Sequence, residues 1–83
     1  KDMATQNMTI KSITSTPTTL SNLNSISVLN GHATESMTIG ESGSGTTITL
    51  KSGESVSLQA STGFTLPDLT LTGTSLTAQV IYT

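Results

Sequence analysis

Cysteine, tryptophan and arginine are all absent from this chain, whose 83 residues hold three lysines, one histidine and two aromatic side chains. Without cysteine there is no disulfide framework, no thiolate nucleophile and no thiolate ligand for zinc. A lone His32 leaves structural zinc without ligands. Without arginine the forked, two-point recognition of phosphate or carboxylate is missing. Lys1, Lys11 and Lys51 stand against five carboxylates, a net charge of −2. Nucleic-acid binding needs several cations to displace counterions from phosphates, so nucleic acid is not an expected partner. An anionic membrane surface is set aside for the same reason. No apolar run approaches the ~20 residues that span a bilayer as a helix, and Lys1-Asp2 does not open onto the apolar stretch of a secretory leader.

Serine and threonine are abundant, at more than a third of the residues, while charged residues make up only 10%. Threonine is β-branched and polar, which suits the solvated side of a strand. Such a composition also fits a Ser/Thr-rich stalk. The regular alternation of Ile, Leu and Val over residues 20–83 contradicts that reading, whereas for residues 1–19 it stays open. Alternation of period two buries one side of a sheet and solvates the other. It runs through Thr46-Thr47-Ile48-Thr49-Leu50, Ser55-Val56-Ser57-Leu58-Gln59, Leu69-Thr70-Leu71-Thr72 and Leu76-Thr77-Ala78-Gln79-Val80-Ile81-Tyr82. The expected fold is all-β, a small antiparallel sandwich or barrel.

Two segments follow from a pass along the chain. Residues 1–19 are polar, with Met8, Ile10 and Ile13 as their large apolar groups, and Pro17 holds Thr16 in extended geometry. They are expected to form an extended N-terminal arm that lies across a neighbouring molecule. Residues 20–83 are expected to form a single β-sandwich domain. Its first strand is 25–29, Asn30-Gly31 turns the chain, residues 32–36 form a loop, and the next strand starts at Met37. Gly40-Glu41-Ser42-Gly43-Ser44-Gly45 is a loop. Ile48 and Leu50 are expected to face the core, with Val56 and Leu58 returning on the same side after the turn at Ser52-Gly53. Pro67 bends the chain between Leu66 and Leu69, and Phe64 and Tyr82 are expected at core positions.

The chemical constellations are sparse. His32 and Asp68 sit in a loop and a bend, but Gly43-Ser44-Gly45 is not a strand-to-helix nucleophile elbow, so no hydrolase and no other enzyme is expected. The glycines of 40–45 are followed by the strand residues Thr46-Thr47 and not by the lysine and helix of a phosphate loop. Glu35, Glu41, Glu54 and Asp68 lack the clustered spacing of a calcium loop; no metal and no cofactor is expected. Asn7-Met8-Thr9 has the form of a glycosylation sequon and is expected to be fortuitous. Carbohydrate recognition by stacking requires an exposed ring, here Phe64 or Tyr82.

One assembly of residues points to a family. Ile39-Gly40, a loop, then Ile48-Thr49-Leu50-Lys51-Ser52-Gly53-Glu54-Ser55-Val56-Ser57-Leu58 and a closing 76–82 segment resemble small virion structural proteins of tailed bacteriophages. The resemblance spans roughly residues 25–83. It implies a small β-sandwich repeated many times on a head, neck or tail, located in the virion, with no catalytic residue to carry over. Composition points the same way, since so short and uncharged a domain gains by burying its surface in an assembly. The expected function is a non-enzymatic capsid decoration or surface component. Its expected partners are copies of itself and the major capsid or another virion structural protein. Met8, Ile10, Ile13, Pro17 and Pro67 are the expected assembly contacts. Two other readings stand beside it: a subunit of an extracellular fibre or pilus joined by donated strands, and a small glycan-binding adhesion module.

Overall fold

The structure, a computed structural model, describes residues 8–83. The described residues form eight strands: β1 (Thr9–Ile13), β2 (Thr18–Leu20), β3 (Ser25–Asn30), β4 (Met37–Glu41), β5 (Thr47–Leu50), β6 (Ser55–Gln59), β7 (Leu69–Gly73) and β8 (Ala78–Tyr82). They form two four-stranded antiparallel sheets, sheet A in the order β1-β8-β3-β6 and sheet B in the order β2-β7-β4-β5. The small antiparallel β-sandwich that the alternation indicated is the fold of this chain.

The strand order has a regularity of its own. Pairing joins β1 to β8, β2 to β7, β3 to β6 and β4 to β5, as if one long hairpin centred on the loop 42–46 had been rolled into a sandwich. This is the jelly-roll winding of eight strands. Only β4 and β5 pair as sequence neighbours. Every other connection passes from one sheet to the other.

Between the sheets lie the inward residues of alternate strand positions. Ile26, Val28, Ala78 and Val80 come from sheet A, and Met37, Ile39, Leu50, Leu69 and Leu71 from sheet B; Leu23 and Leu76 close the ends from loops. Each fully buried aliphatic side chain contributes about 1.5–3 kcal/mol relative to exposure. Val56, Leu58, Leu66 and Tyr82 pack against this cluster while partly buried.

Among the described residues Asn30 is the one polar residue that is buried. Its Nδ2 donates to the carbonyls of Leu50 at 2.9 Å and Glu35 at 2.8 Å, and its Oδ1 accepts the His32 N–H at 3.1 Å. Its backbone N–H donates to Glu54 O and its carbonyl accepts from Gly53 N–H. One residue of sheet A is thereby fastened through its side chain to sheet B and the loop 31–36, and through its backbone to the connection 51–54.

Four expectations change. The expected arm divides: residues 1–7 lie outside the described residues, whereas Thr9–Ile13 and Thr18–Leu20 are edge strands of this chain's own sheets, with Ile13 and Leu20 buried. An edge strand needs few apolar residues, and so this stretch looked too polar to belong to the sandwich. Residues 51–54 do not close a β5–β6 hairpin. They arch between sheets, because Asn30 captures both Gly53 and Glu54. Ile48 occupies an inward position opposite Ile39 on the outermost strand but remains 49% exposed. Phe64 lies outside any strand, on a turn closed by its N–H to Ser61 O with Gly63 at φ 85°, and its ring is 71% exposed; Tyr82 is half-buried.

Asn30→Asp keeps the shape but removes the two donors and aims a carboxylate at two carbonyls. We expect a loss of about 2–3 kcal/mol in urea unfolding, the scale of a buried group left without its partner. Gly40→Ala is a second test. A Cβ there would lie 2.6 Å from Thr46 O and 2.9 Å from Thr47 Cγ2, so the β4–β5 hairpin must spread, at a cost of about 1–3 kcal/mol.

Candidate functional site: two uncharged faces and an open margin

The outward positions of sheet A are set by the alternation that buries Val28 and Val80. They carry Ile10 and Ser12 from β1, Gln79 and Ile81 from β8, Ser25, Ser27 and Leu29 from β3, and Ser55, Ser57 and Gln59 from β6. None is charged. Ile10 stands directly opposite Ile81, and Ser27 and Ser57 share a hydroxyl bond of 2.9 Å. Ile10 is 72% exposed, and Leu29 and Ile81 are exposed as well. A shallow groove of about 430 Å³ crosses this face between Ile10, Ile81, Leu29, Ser27, Ser57 and Gln79. Aliphatic groups among neutral hydroxyls and amides are cheap to dehydrate compared with charged ones.

Sheet B presents a different face. Its outward positions are Thr19, Thr38, Thr47, Thr49, Thr70 and Thr72, with Gly40 between Thr70 and Thr47. Thr70 Oγ1 is bonded to Thr19 Oγ1 at 3.0 Å and to Ser42 Oγ at 2.6 Å, so part of its polarity is satisfied within the chain. It offers methyl and hydroxyl groups but no large apolar side chain.

The two margins of the sandwich are unlike. Four-residue connections, 14–17 and 51–54, leave β2 across from β1 at one margin and β6 across from β5 at the other. At the β1 margin the inward position opposite Val80 is Lys11, which is exposed. An inward-aimed lysine on an edge strand obstructs pairing with a further strand. At the other margin the inward positions are the buried Leu50 together with Ile48, Val56 and Leu58, which are half-buried or exposed, and none is charged.

The polar loops hold no comparable arrangement. His32 Nδ1 accepts the backbone N–H groups of Thr34 and Glu35 at 3.1 and 2.9 Å, so it closes its own loop. Ser52 Oγ donates to the His32 backbone carbonyl at 2.5 Å and not to the ring. Glu54 Oε1 accepts the Lys51 N–H at 2.7 Å and closes the arch. Asp68 meets Ser42 through its backbone carbonyl. Among the described residues no three of the His, Asp and Glu side chains gather as a metal set, and no buried side-chain polar atom lacks a partner.

Of the five expected contact residues, the structure leaves Met8 and Ile10 exposed at and beside β1, and Ile10 belongs to the apolar patch of sheet A. Ile13 is in the core, out of reach of a neighbour. Pro17 follows a cis Thr16–Pro17 bond in the exposed 14–17 connection, and Pro67 is exposed in the 60–68 loop; neither adjoins the patch. Ile81 stands out in the sequence, an isoleucine on the outward side beside the polar Thr77 and Gln79, which marks that side as locally covered; Leu29 and Ser57 carry no such signal. Comparison with known proteins gave no match: no family model, no curated protein and no solved structure matches the chain.

If the patch serves contact and not the fold, its residues are dispensable for stability. We expect Ile81→Ser to change the unfolding free energy by no more than about 1 kcal/mol, the scale of one cross-strand pair. Leu71→Ala, in the core, should cost about 2–5 kcal/mol. Denaturant titration of both variants checks the contrast.

Proposed function

We propose that this chain is a non-enzymatic structural module, a surface component that decorates a virion by laying the outward face of sheet A on a neighbouring shell protein. The observation that carries the reading is that face itself: four strands wide, uncharged, and centred on Ile10, Leu29 and Ile81. Contact cores are depleted in charge relative to the rest of a protein surface, and this face has that composition before any partner is present. The resemblance of residues 25–83 to small virion proteins of tailed bacteriophages supplies the kind of assembly. The winding supports it by analogy alone, since jelly rolls recur in viral capsid domains and also in lectins.

The decisive experiment is fractionation of particles from the producing source on a density gradient, with quantitative mass spectrometry. The chain should band with particles in a fixed ratio to the shell protein, and Ile81→Lys should release it into the soluble fraction. Recovery of the unaltered chain only as soluble protein overturns the reading.

A second reading has one observation in its favour. Phe64 is an exposed ring on a turn of a jelly roll, and stacking on such a ring is how many neutral sugars are held. A glycan array distinguishes the two: binding that Phe64→Ala abolishes supports adhesion, and no binding removes it.

A further inference from the structure

We propose that β6 pairs with β6 of a second copy about a twofold axis at Ser57, joining two A sheets into one of eight strands. This rests on the assembly reading above and names the contact between copies.

The hydrogen-bond pattern fixes which groups of β6 are free. Asn30 N donates to Glu54 O and Ala60 N donates to Asn24 O, and the register pairs Ser25 with Gln59, Ser27 with Ser57 and Leu29 with Ser55. In an antiparallel ladder, pairs that exchange both backbone bonds alternate with pairs that exchange none. Residues 54, 56, 58 and 60 therefore aim their backbone at β3. Ser55, Ser57 and Gln59 aim theirs at the open edge, where the backbone N–H and C=O groups have no partner among the described residues.

The other three edges are blunted. β1 carries the inward Lys11, β2 has three residues and follows Pro17, and β5 has four residues and runs directly into Lys51. β6 has five residues, no charge and no proline. Short edges, prolines and inward charges are the usual means of discouraging an added strand. Here they are applied at three edges and withheld at the fourth.

The sequence Ser55-Val56-Ser57-Leu58-Gln59 is compatible with its own copy in one register. With Ser57 opposite Ser57 of the second copy, the free N–H and C=O groups of Ser55, Ser57 and Gln59 bond reciprocally. Val56 falls opposite Leu58 of the other copy on the inward side, and Ser55 opposite Gln59 on the outward side. Glu54 falls opposite Ala60, so no like charges meet. The inward pairs continue the core across the joint and cover the half-buried Val56 and Leu58. The exposed Ile48 lies at the same margin.

Three variants of the full chain test this in sedimentation velocity over a concentration series, with circular dichroism to confirm folding. The unaltered chain should show a concentration-dependent dimer. Ser57→Pro gives up the exposed hydroxyl bond to Ser27 and an N–H aimed at the open edge, and leaves the backbone ladder to β3 intact; it should weaken the dimer at least tenfold. Val56→Lys places at this edge the device that Lys11 provides at the other and should act alike, whereas Thr49→Lys on the outward side of sheet B should leave the dimer unchanged. Ser57→Cys introduces the chain's sole thiol at a pair whose Cα separation of about 5.5 Å is within disulfide range. It should oxidise to a covalent dimer far faster than Ser12→Cys. A chain that stays monomeric, a dimer indifferent to Ser57→Pro, or equal cross-linking at Ser12 overturns the pairing. A monomer that still bands with particles refutes the pairing alone, and a dimer absent from particles refutes the decorating function alone.

Discussion

The sandwich depends on one buried side chain that belongs to neither apolar layer. Asn30 sits at the end of β3 and engages both of its amide N–H donors and its carbonyl oxygen with groups that arrive from elsewhere: Leu50 of the other sheet, Glu35 and His32 of the loop beyond. Hydrophobic contact is indifferent to small slides of one sheet over another, whereas three directed bonds in a dry interior are not. The same residue receives the arch between β5 and β6 through its backbone. The chain therefore passes to the other sheet at residue 51 instead of folding back. The winding of β5 and β6, and with it the identity of the edge strands, is anchored at this point.

From that winding comes the distribution of surfaces. With nearly all pairings between distant segments, each sheet is assembled from strands of unrelated character, and each acquires its own outward chemistry. The A side is serine, glutamine and three aliphatics; the B side is almost wholly threonine. Among the described residues charge is left to loops, to the edge position Lys11 and to Glu41 at the end of β4, and none lies on an outward face. A protein that must stay apart from its neighbours usually spreads charge over its faces. This one concentrates charge away from them, which is the strongest physical reason to regard it as part of something larger.

The fold class was legible because alternation is a direct record of which side of a strand is buried: Leu50, Leu69, Leu71, Ala78 and Val80 were all placed by it. Pairing was not legible. The segment 46–58 has the pattern of a local hairpin, and nothing in Lys51-Ser52-Gly53-Glu54 tells a hairpin from an arch; the difference is made by Asn30, twenty residues upstream. The stretch 9–20 was misjudged for a related reason, since edge strands bury little and so leave a weak pattern. Ile48 and Phe64 show the opposite error. Both are apolar in a strand-like context, yet one lies at a margin and the other on a turn, and exposure is a property of place. Of the candidate contact surface, only Ile10 and Ile81 stood out, because a surface is composed by four strands at once and no single strand displays it.

The pairing of Thr9 with Tyr82 brings the two ends of the described chain together at one corner of the sandwich, where Thr83 is fastened to Asn24 and Ser25. Entry and exit thus coincide, and the connections 31–36, 51–54 and 74–77 gather at the far end. Anything attached at Thr83 would hold the domain from that corner, like a flag on a pole. Rotation about that single attachment would swing both broad faces without changing the distance of the far loops from the support.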